Sequence, residues 1–320
     1  MSQESLFPKE PPLGMPGFER RISYTNSARE AWGLFLNQYA SNRDGVVLLP
    51  AYIGHTAREG SGIFDPVRAS GVAYRFYGVD DHLRVSVDAL AAQLSSGDIG
   101  ALLLVHWFGF PAADISAIRD LCRSTGVLLI EDCAHVVSLP GAHAGELGAF
   151  GDVAFYSVHK VLGGVAGGAL VWNTPAPDWT AGPLHETCDQ AVLAAILRAD
   201  FPAINLHRRA LYRLYLETLS DQEGVRFLRP DLGAVTPQSM AMLIESGLRE
   251  PLYFYLMEAG LPVTALYYEL IGAVDEALFP EAFAISRSIL NLPVHQGVTP
   301  EQAARLAETL REGLSQLSLP

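Results

Sequence analysis

Residues 101–134 read ALLLVHWFGFPAADISAIRDLCRSTGVLLIEDCA, and this stretch decides the fold. Its two ends, 101–109 and 127–132, are apolar without alternation, which is typical of strands that helices cover on both faces. Between them, a helical pattern over 114–125 ends at Gly126, and glycine is favoured just after a helix C-terminus. A strand, a helix and a second strand at this spacing predict a parallel βαβ unit.

The same alternation continues on both sides of this unit. The further patterns, in chain order, are 27–40 (helix), 46–50 (strand), 72–79 (strand), 86–96 (helix), 153–158 (strand) and 168–173 (strand). We therefore expect a large α/β domain with a mostly parallel sheet over residues 21–175.

The two flanks of this domain have a different character. Residues 1–20 contain four prolines, which deny helix and sheet hydrogen bonds and predict an irregular N-terminal arm. The Pro-rich loop at 174–183 predicts a boundary, and residues 176–320 predict a linking helix around 185–219 and a smaller C-terminal α+β domain. The last helix is expected to begin after Thr299 in a capping box.

Composition and charge exclude several classes of protein. Of the 320 residues, 49% are hydrophobic and 18% are charged, which excludes a disordered or fibrous chain. No apolar run approaches the ~18 residues of a transmembrane helix, and the first twenty residues lack an apolar signal core, so no membrane or secretory role is expected. Three separated cysteines without a CxxC suit a reducing cytoplasm. A net charge of −13 argues against a nucleic-acid partner.

Reactive side chains collect at two neighbouring strand ends. Only Lys9 and Lys160 among the 22 basic residues are lysines, and Lys9 lies in the N-terminal arm, so the folded body holds a single lysine amine. Asp132 and His135 lie at the end of one predicted strand, and Ser157 and Lys160 lie at the end of the next. In an open parallel sheet, ligands bind beyond these carboxyl ends.

A helix start near Asn26 and Ser27 adds a place for a phosphate, because a helix N-terminus presents unpaired N–H groups and the positive end of its dipole. A carboxylate for a ring nitrogen, a lysine for an aldehyde and a phosphate seat together indicate a pyridoxal phosphate site. Asp132 and His135 have no third ligand at metal-binding spacing, so no metal is expected.

Four motifs in the right order carry a family resemblance. The matching residues are His106, Gly109 and Pro111; Glu131, Asp132, Ala134 and His135; Gly151, Asp152, Ala154, Phe155 and Ser157; and Lys160 with the pair Gly167 and Gly168. With them the chain resembles, over about residues 24–312, the DegT/StrS family of pyridoxal-phosphate aminotransferases, many of which aminate nucleotide-linked keto sugars. The resemblance implies fold type I and an active site at a homodimer interface.

The resemblance also implies roles for the site residues. Lys160 would form the Schiff base with pyridoxal 5'-phosphate and carry a proton, while Asp132 would keep the pyridine nitrogen protonated. His135 would lie beside the phenolic oxygen of the cofactor. The residues implied to bind the cofactor are Asn26, Ser27, Ala28, His55, Asp132, His135, Ser157 and Lys160.

The resemblance implies that Ser157, Ser27 and the N–H of Ala28 bind the phosphate.

Three features of the sequence depart from the family pattern. Only two residues separate Ser157 from the lysine, where members usually have four. The aromatic ring that commonly stacks on the cofactor falls near Gly54, which cannot stack, and His55 is the candidate replacement. After residue 174, no segment clearly matches the Gly-Tyr-Asn-x-Arg stretch that members lend across the dimer interface.

We therefore predict a cytoplasmic, homodimeric aminotransferase. It would take an amino group from a small-molecule donor, expected to be an amino acid such as glutamate, and pass it to a keto acceptor such as a sugar or a secondary metabolite. Two alternatives stay open. One is a pyridoxal-dependent dehydratase or lyase, for which the adjacent His159 and Lys160 leave room; the other is a degenerate binding subunit without catalysis.

Overall fold

The computed structural model describes residues 21–138, 146–174 and 190–318. The arm expected over residues 1–20 and nearly all of the boundary loop lie outside the described residues. The division into two domains near residue 175 therefore stays a prediction.

A seven-stranded sheet forms the centre of the first part of the chain. Its strands are β1 (Arg21–Thr25), β2 (Val46–Pro50), β3 (Tyr74–Tyr77), β4 (Ile99–Val105), β5 (Leu128–Cys133), β6 (Val153–Ser157) and β7 (Gly168–Trp172). The spatial order is β1-β7-β6-β5-β4-β2-β3. The strands from β3 to β6 run parallel, and β7 is antiparallel to both β6 and β1. The expected mostly parallel α/β sheet is confirmed.

Strand β1 was not predicted from the sequence. Its only apolar residues, Ile22 and Tyr24, alternate with Ser23 and Thr25, which are buried but polar, and this pattern is too short to predict a strand. It exists because β7 offers it an antiparallel edge, a long-range partner that a local pattern does not reveal.

Four helices accompany this sheet in the described residues. They are α1 (Ala28–Asn42), α2 (Phe64–Ser70), α3 (Val87–Leu94) and α4 (Ile115–Thr125). Helix α4 ends at Gly126 with φ 71°, a left-handed conformation that suits glycine, as predicted. The buried side chains of α1, among them Trp32 and Phe35, belong to the same hydrophobic core as the inner strands.

The C-terminal part builds a second, antiparallel sheet with the order β10-β9-β8. Its elements are α5 (Gln190–Arg198), α6 (Phe201–Leu219), β8 (Val225–Phe227), β9 (Ser239–Ile244), α7 (Arg249–Glu258), α8 (Pro280–Ser288), β10 (Ile289–Pro293) and α9 (Pro300–Leu317). The helical pattern predicted around 185–219 is two helices, because Asp200 caps a new helix and Pro202 lies in its first turn. The capping box of Thr299 and Gln302 is present.

The strand register places the candidate site residues at one edge of the large sheet. Val105 pairs with Asp132, and Asp132 pairs with Phe155, so the carboxyl ends of β4, β5 and β6 lie side by side. Ser157 ends β6 and pairs with Gly168 at the start of β7. Within the described ranges, every helix is either too short or too polar to span a bilayer.

Candidate active site

Lys160 and His135 are joined by a direct hydrogen bond. The Lys160 Nζ lies 2.9 Å from His135 Nε2. Lys160 as a residue is partly exposed, but its amine is surrounded by protein atoms. Burial lowers the pKa of this amine below its ordinary value, against smaller opposing effects of the Asp132 and Glu59 carboxylates. The amine is therefore easier to deprotonate than an exposed lysine.

The direction of this bond follows from a neighbouring donor. The Phe108 N–H donates to His135 Nδ1 at 3.1 Å, so the proton of a neutral imidazole is assigned to Nε2. Burial, followed by the charge of Lys160, holds the pKa of His135 well below its ordinary value and keeps the ring neutral. In this tautomer the Nε2–H group faces Nζ, and it can donate to Nζ when the Lys160 amine is uncharged.

Asp132 is a buried carboxylate beside this pair. It is only 5% exposed at the end of β5, and its Oδ1 accepts a hydrogen bond from the Ala134 N–H at 2.8 Å. Burial raises the pKa of Asp132, while the Ala134 N–H, Lys160 and His106 act in the opposite direction. A buried carboxylate in this position is stabilised by a bound cationic group.

A seam between β7 and the start of α1 brings two serines together. A Cβ on Gly168 would lie 2.3 Å from the Ser27 carbonyl carbon and 2.5 Å from the Ala28 nitrogen, so only glycine permits this approach. Gly168 also pairs with Ser157, which is 3% exposed. Ser157 Oγ is 3.1 Å from His159 Nδ1. Ser157 therefore lies next to the N-terminus of α1.

The first turn of α1 already contains an acid. Ser27 is the N-cap, and its Oγ accepts from the Glu30 N–H at 3.1 Å. The Glu30 carboxylate in turn accepts the N–H of Asn26 at 2.7 Å. The N–H of Asn26 is therefore already bonded to Glu30. The N–H groups in the first turn of a helix, by contrast, have no partner within the helix and can bind a group outside it.

Glu131 is a buried anchor with a full set of hydrogen bonds. Its two oxygens accept from His106 Nε2 and from the N–H groups of Gly148, Phe150 and Gly151, at distances of 2.6 to 2.8 Å. Burial raises the pKa of Glu131, but the bonds from His106 and the backbone outweigh it, and the net shift is downward. This carboxylate ties the end of β5 to the segment that precedes β6.

Three metal-capable side chains meet at this anchor. His106, Glu131 and Cys133 have ligand atoms within 4.8 Å of one another. Both oxygens of Glu131 are already occupied by N–H donors, which makes the cluster a structural one.

Tyr267 is a site residue that the sequence analysis missed. It comes from the segment between α7 and α8, and its hydroxyl oxygen is 3.3 Å from His135 Nε2, the atom that also contacts Lys160. Its ring lies 5.4 Å from the Tyr52 ring and 5.9 Å from the His135 ring, measured between centroids. Tyr267 is one of two adjacent tyrosines in a short stretch, and nothing in that local pattern indicates such a role.

The segment that carries Tyr267 pairs with the loop around Gly54. The His55 N–H donates to the Glu269 carbonyl at 2.9 Å, and the Ile271 N–H donates to the Ile53 carbonyl at 3.0 Å. A Cβ on Gly54 would lie 1.9 Å from Tyr267 Cδ1. The ring packed on Gly54 is therefore that of Tyr267.

Some of the expected site residues therefore cluster through their side chains, and others are brought close together by backbone contacts. Lys160, His135 and Asp132 form one cluster. Ser157 and Ser27 meet along the seam at Gly168, while Asn26 is bonded to Glu30 and His55 pairs through its backbone.

Comparisons with known proteins relate the chain to one enzyme family. A model of the DegT/DnrJ/EryC1/StrS aminotransferase family matches residues 24–187. A UDP-N-acetyl-3-dehydro-alpha-D-glucosamine 3-aminotransferase from Acidithiobacillus ferrooxidans is 27% identical over 271 residues, which cover 75% of this chain and 71% of the relative.

Solved structures show the same fold. The aminotransferase TlmJ from Streptoalloteichus hindustanus superposes with a TM-score of 0.76 at 23% identity, covering 93% of this chain and 86% of that one. A Streptococcus pneumoniae protein in its PLP form superposes with a TM-score of 0.75 at 16% identity, covering 93% and 88%. At identities of 23% and 16%, these superpositions show a shared fold.

Proposed function

This chain belongs to the DegT/DnrJ/EryC1/StrS aminotransferase family, and we propose from that premise that it uses pyridoxal 5'-phosphate bound between Lys160 and Asp132. It transfers an amino group from an amino-acid donor to a keto acceptor. The observation that carries the proposal is the 2.9 Å contact between His135 Nε2 and Lys160 Nζ, which places the lysine amine near the buried Asp132 carboxylate.

The residues present fit this cofactor. The cofactor has a ring nitrogen, an aldehyde and a phosphate, and the site offers the Asp132 carboxylate, the Lys160 amine and the N-terminus of α1. When bound, it supplies an aldehyde that captures amines and a ring that withdraws electrons from the bonds of the captured carbon. We assign the phosphate to Ser157, Ser27 and the Ala28 N–H rather than to Asn26, whose N–H donates to Glu30.

Lys160 acts as the proton carrier of the proposed reaction. An amine that accepts a hydrogen bond has its lone pair on the nitrogen and is ready to take up a proton. A general base works best when its pKa lies near the working pH, and burial moves the pKa of Lys160 downward in that direction. His135 directs the amine through its Nε2–H group, and the charge of Asp132 favours a cationic ring nitrogen.

The acceptor class follows from the relatives. The Acidithiobacillus ferrooxidans relative is named for a nucleotide-linked keto sugar, and we propose a keto sugar as the acceptor of this chain as well. A homodimer and a cytoplasmic location belong to the same proposal. The separated cysteines support the location, and the family resemblance supports the dimer.

The covalent role of Lys160 is tested by trapping the cofactor. Purified protein mixed with pyridoxal phosphate should turn yellow, and borohydride should then fix the cofactor to the peptide that contains Lys160, as read by mass spectrometry. Lys160→Ala should lose both the colour and the adduct. Lys9→Arg is the matched control, because it removes the other lysine and should leave both unchanged.

The direction of the chemistry is tested with amino donors. Glutamate should bleach the yellow band of the wild type, and a keto sugar should restore it. A protein that stays yellow with a panel of amino donors would favour the dehydratase or lyase alternative. A colourless protein that takes up no cofactor would favour the binding subunit and contradict the proposal.

A further inference from the structure

Gly54 and Tyr267 fit each other as a pair. The Tyr267 ring fills the volume that a side chain at position 54 would occupy, since a Cβ there would lie 1.9 Å from Cδ1 and 2.9 Å from both Cε1 and Cγ. Real Cβ contacts do not approach this distance. Any residue larger than glycine at position 54 therefore displaces the tyrosine ring.

The backbone holds Tyr267 in an unusual conformation. Its φ is 64°, in the left-handed region that a bulky side chain seldom adopts. The Ser286 hydroxyl donates to the Tyr267 carbonyl at 2.8 Å, and the neighbouring residues pair with the loop around Gly54. Strained backbone of this kind persists only where surrounding structure enforces it, and it is often found at functional sites.

The phenol of Tyr267 reaches the lysine through one shared atom. Its oxygen lies 3.3 Å and the Lys160 amine lies 2.9 Å from the same nitrogen of His135. The charge of Asp132 also acts on the phenol, and burial followed by this charge raises the pKa of Tyr267, so the ring remains neutral. Tyr267 therefore lies at the same site as Asp132 and Lys160, the two groups proposed to hold the cofactor ring.

We infer that Tyr267, contributed by the C-terminal part of the chain, supplies the aromatic face of the cofactor site, and that Gly54 is small in order to admit it. The inference rests on the proposed function and replaces the expected role of His55. Aromatic rings prefer offset or edge contacts with centroids about 4.5–7 Å apart, a spacing that the Tyr267 ring already has with Tyr52 and His135. Tyr267 is a positioning residue for the cofactor ring.

A residue swap tests this pairing. The dissociation constant for pyridoxal phosphate is measured by fluorescence quenching, alongside thermal unfolding of the apoprotein. Tyr267→Ala should weaken cofactor binding about two- to tenfold, because a stacked pair contributes roughly 0.5–1.5 kcal/mol beyond its buried area. Tyr267→Phe keeps the ring and should stay close to the wild type. Tyr268→Ala is the matched control, since Tyr268 is the next residue and is 48% exposed.

The double variant makes the test specific. Gly54→Phe should weaken binding because the new ring collides with Tyr267, and adding Tyr267→Gly should recover affinity by letting the ring enter from position 54. Tyr267→Leu serves if the alanine variant is poorly folded, because it keeps apolar volume and removes the ring.

Two results would overturn the inference. One is wild-type affinity in a folded Tyr267→Ala or Tyr267→Leu variant, and the other is a double variant no better than Gly54→Phe alone. Failure of the proposed function is distinct, because the wild type itself would then bind no cofactor at Lys160.

Discussion

Lys160 and His135 show how one backbone donor sets the protonation of a distant side chain. The Phe108 N–H takes the lone pair of Nδ1 and leaves the proton on Nε2. The lysine amine that faces Nε2 can accept this bond only when it is uncharged, so the bond favours the neutral form of the amine. The burial that lowers its pKa acts in the same direction.

The pKa of Lys160 is expected to lie below the ordinary lysine value of 10.5 and to depend on His135. Protein labelled with ¹³C at lysine Cε should give two side-chain signals, since the chain has two lysines, and the one from Lys160 should titrate at the lower pH. His135→Leu removes the donor that stabilises the neutral amine and should raise this pKa, while His135→Gln keeps a donor and should raise it less.

The lowered pKa of Lys160 also determines how this group changes the stability of the fold with pH. The folded protein binds the Lys160 proton less tightly than the unfolded chain, so this group disfavours folding at low pH, and its cost disappears as the pH rises from the folded pKa to about 10.5. Coincident titration of the two lysine signals would contradict this account.

At the scale of elements, the contact between β7 and α1 depends on a missing side chain. Gly168 pairs with Ser157 on one side and with Thr25 on the other, and its Cα faces the backbone of Ser27. Three elements converge at this residue, and the helix N-terminus proposed for the phosphate is held there. Backbone cannot move aside as a flexible side chain can, so this contact tolerates little added volume.

Gly168→Ala should therefore destabilise the fold by about 1–3 kcal/mol, the usual cost of overpacking a close contact. It should also weaken pyridoxal phosphate binding, because the start of α1 must shift. Gly163→Ala is the control, since a Cβ at Gly163 meets nothing within 4 Å. Urea unfolding gives the free energies, and equal values for the two variants would show that the seam is not tight.

At the scale of the whole molecule, side chains of the C-terminal part form hydrogen bonds to the segment that carries Lys160. The Arg208 guanidinium is 1% exposed and donates to the carbonyls of Val161 and Gln238, at 3.4 and 3.2 Å. Gln296 donates to the same Val161 carbonyl at 2.8 Å. Burial lowers the pKa of Arg208 to about 10, so the group remains charged at neutral pH. Val161 directly follows Lys160, so the position of the lysine depends on the C-terminal helices.

Arg208→Met should lower the free energy of unfolding by about 2–3 kcal/mol, because it removes charge-assisted hydrogen bonds to buried carbonyls. Hydrogen exchange should rise in the peptide around Val161. Arg213→Met on the exposed face of the same helix is the control and should change little. A variant with unchanged exchange near Val161 would contradict the proposed coupling between the C-terminal helices and the lysine.

The amino-acid sequence alone was sufficient for the parallel sheet, the helix ends at Gly126 and Thr299, and the prediction that Asp132 and Lys160 act together. These features are written in short windows, because apolar runs, caps and strand-end motifs depend on neighbouring residues. The tertiary structure alone decided which ring covers Gly54, which way the His135 bond points and what holds Val161. Those contacts join residues that are far apart in the chain, and no local pattern specifies where two distant segments will meet.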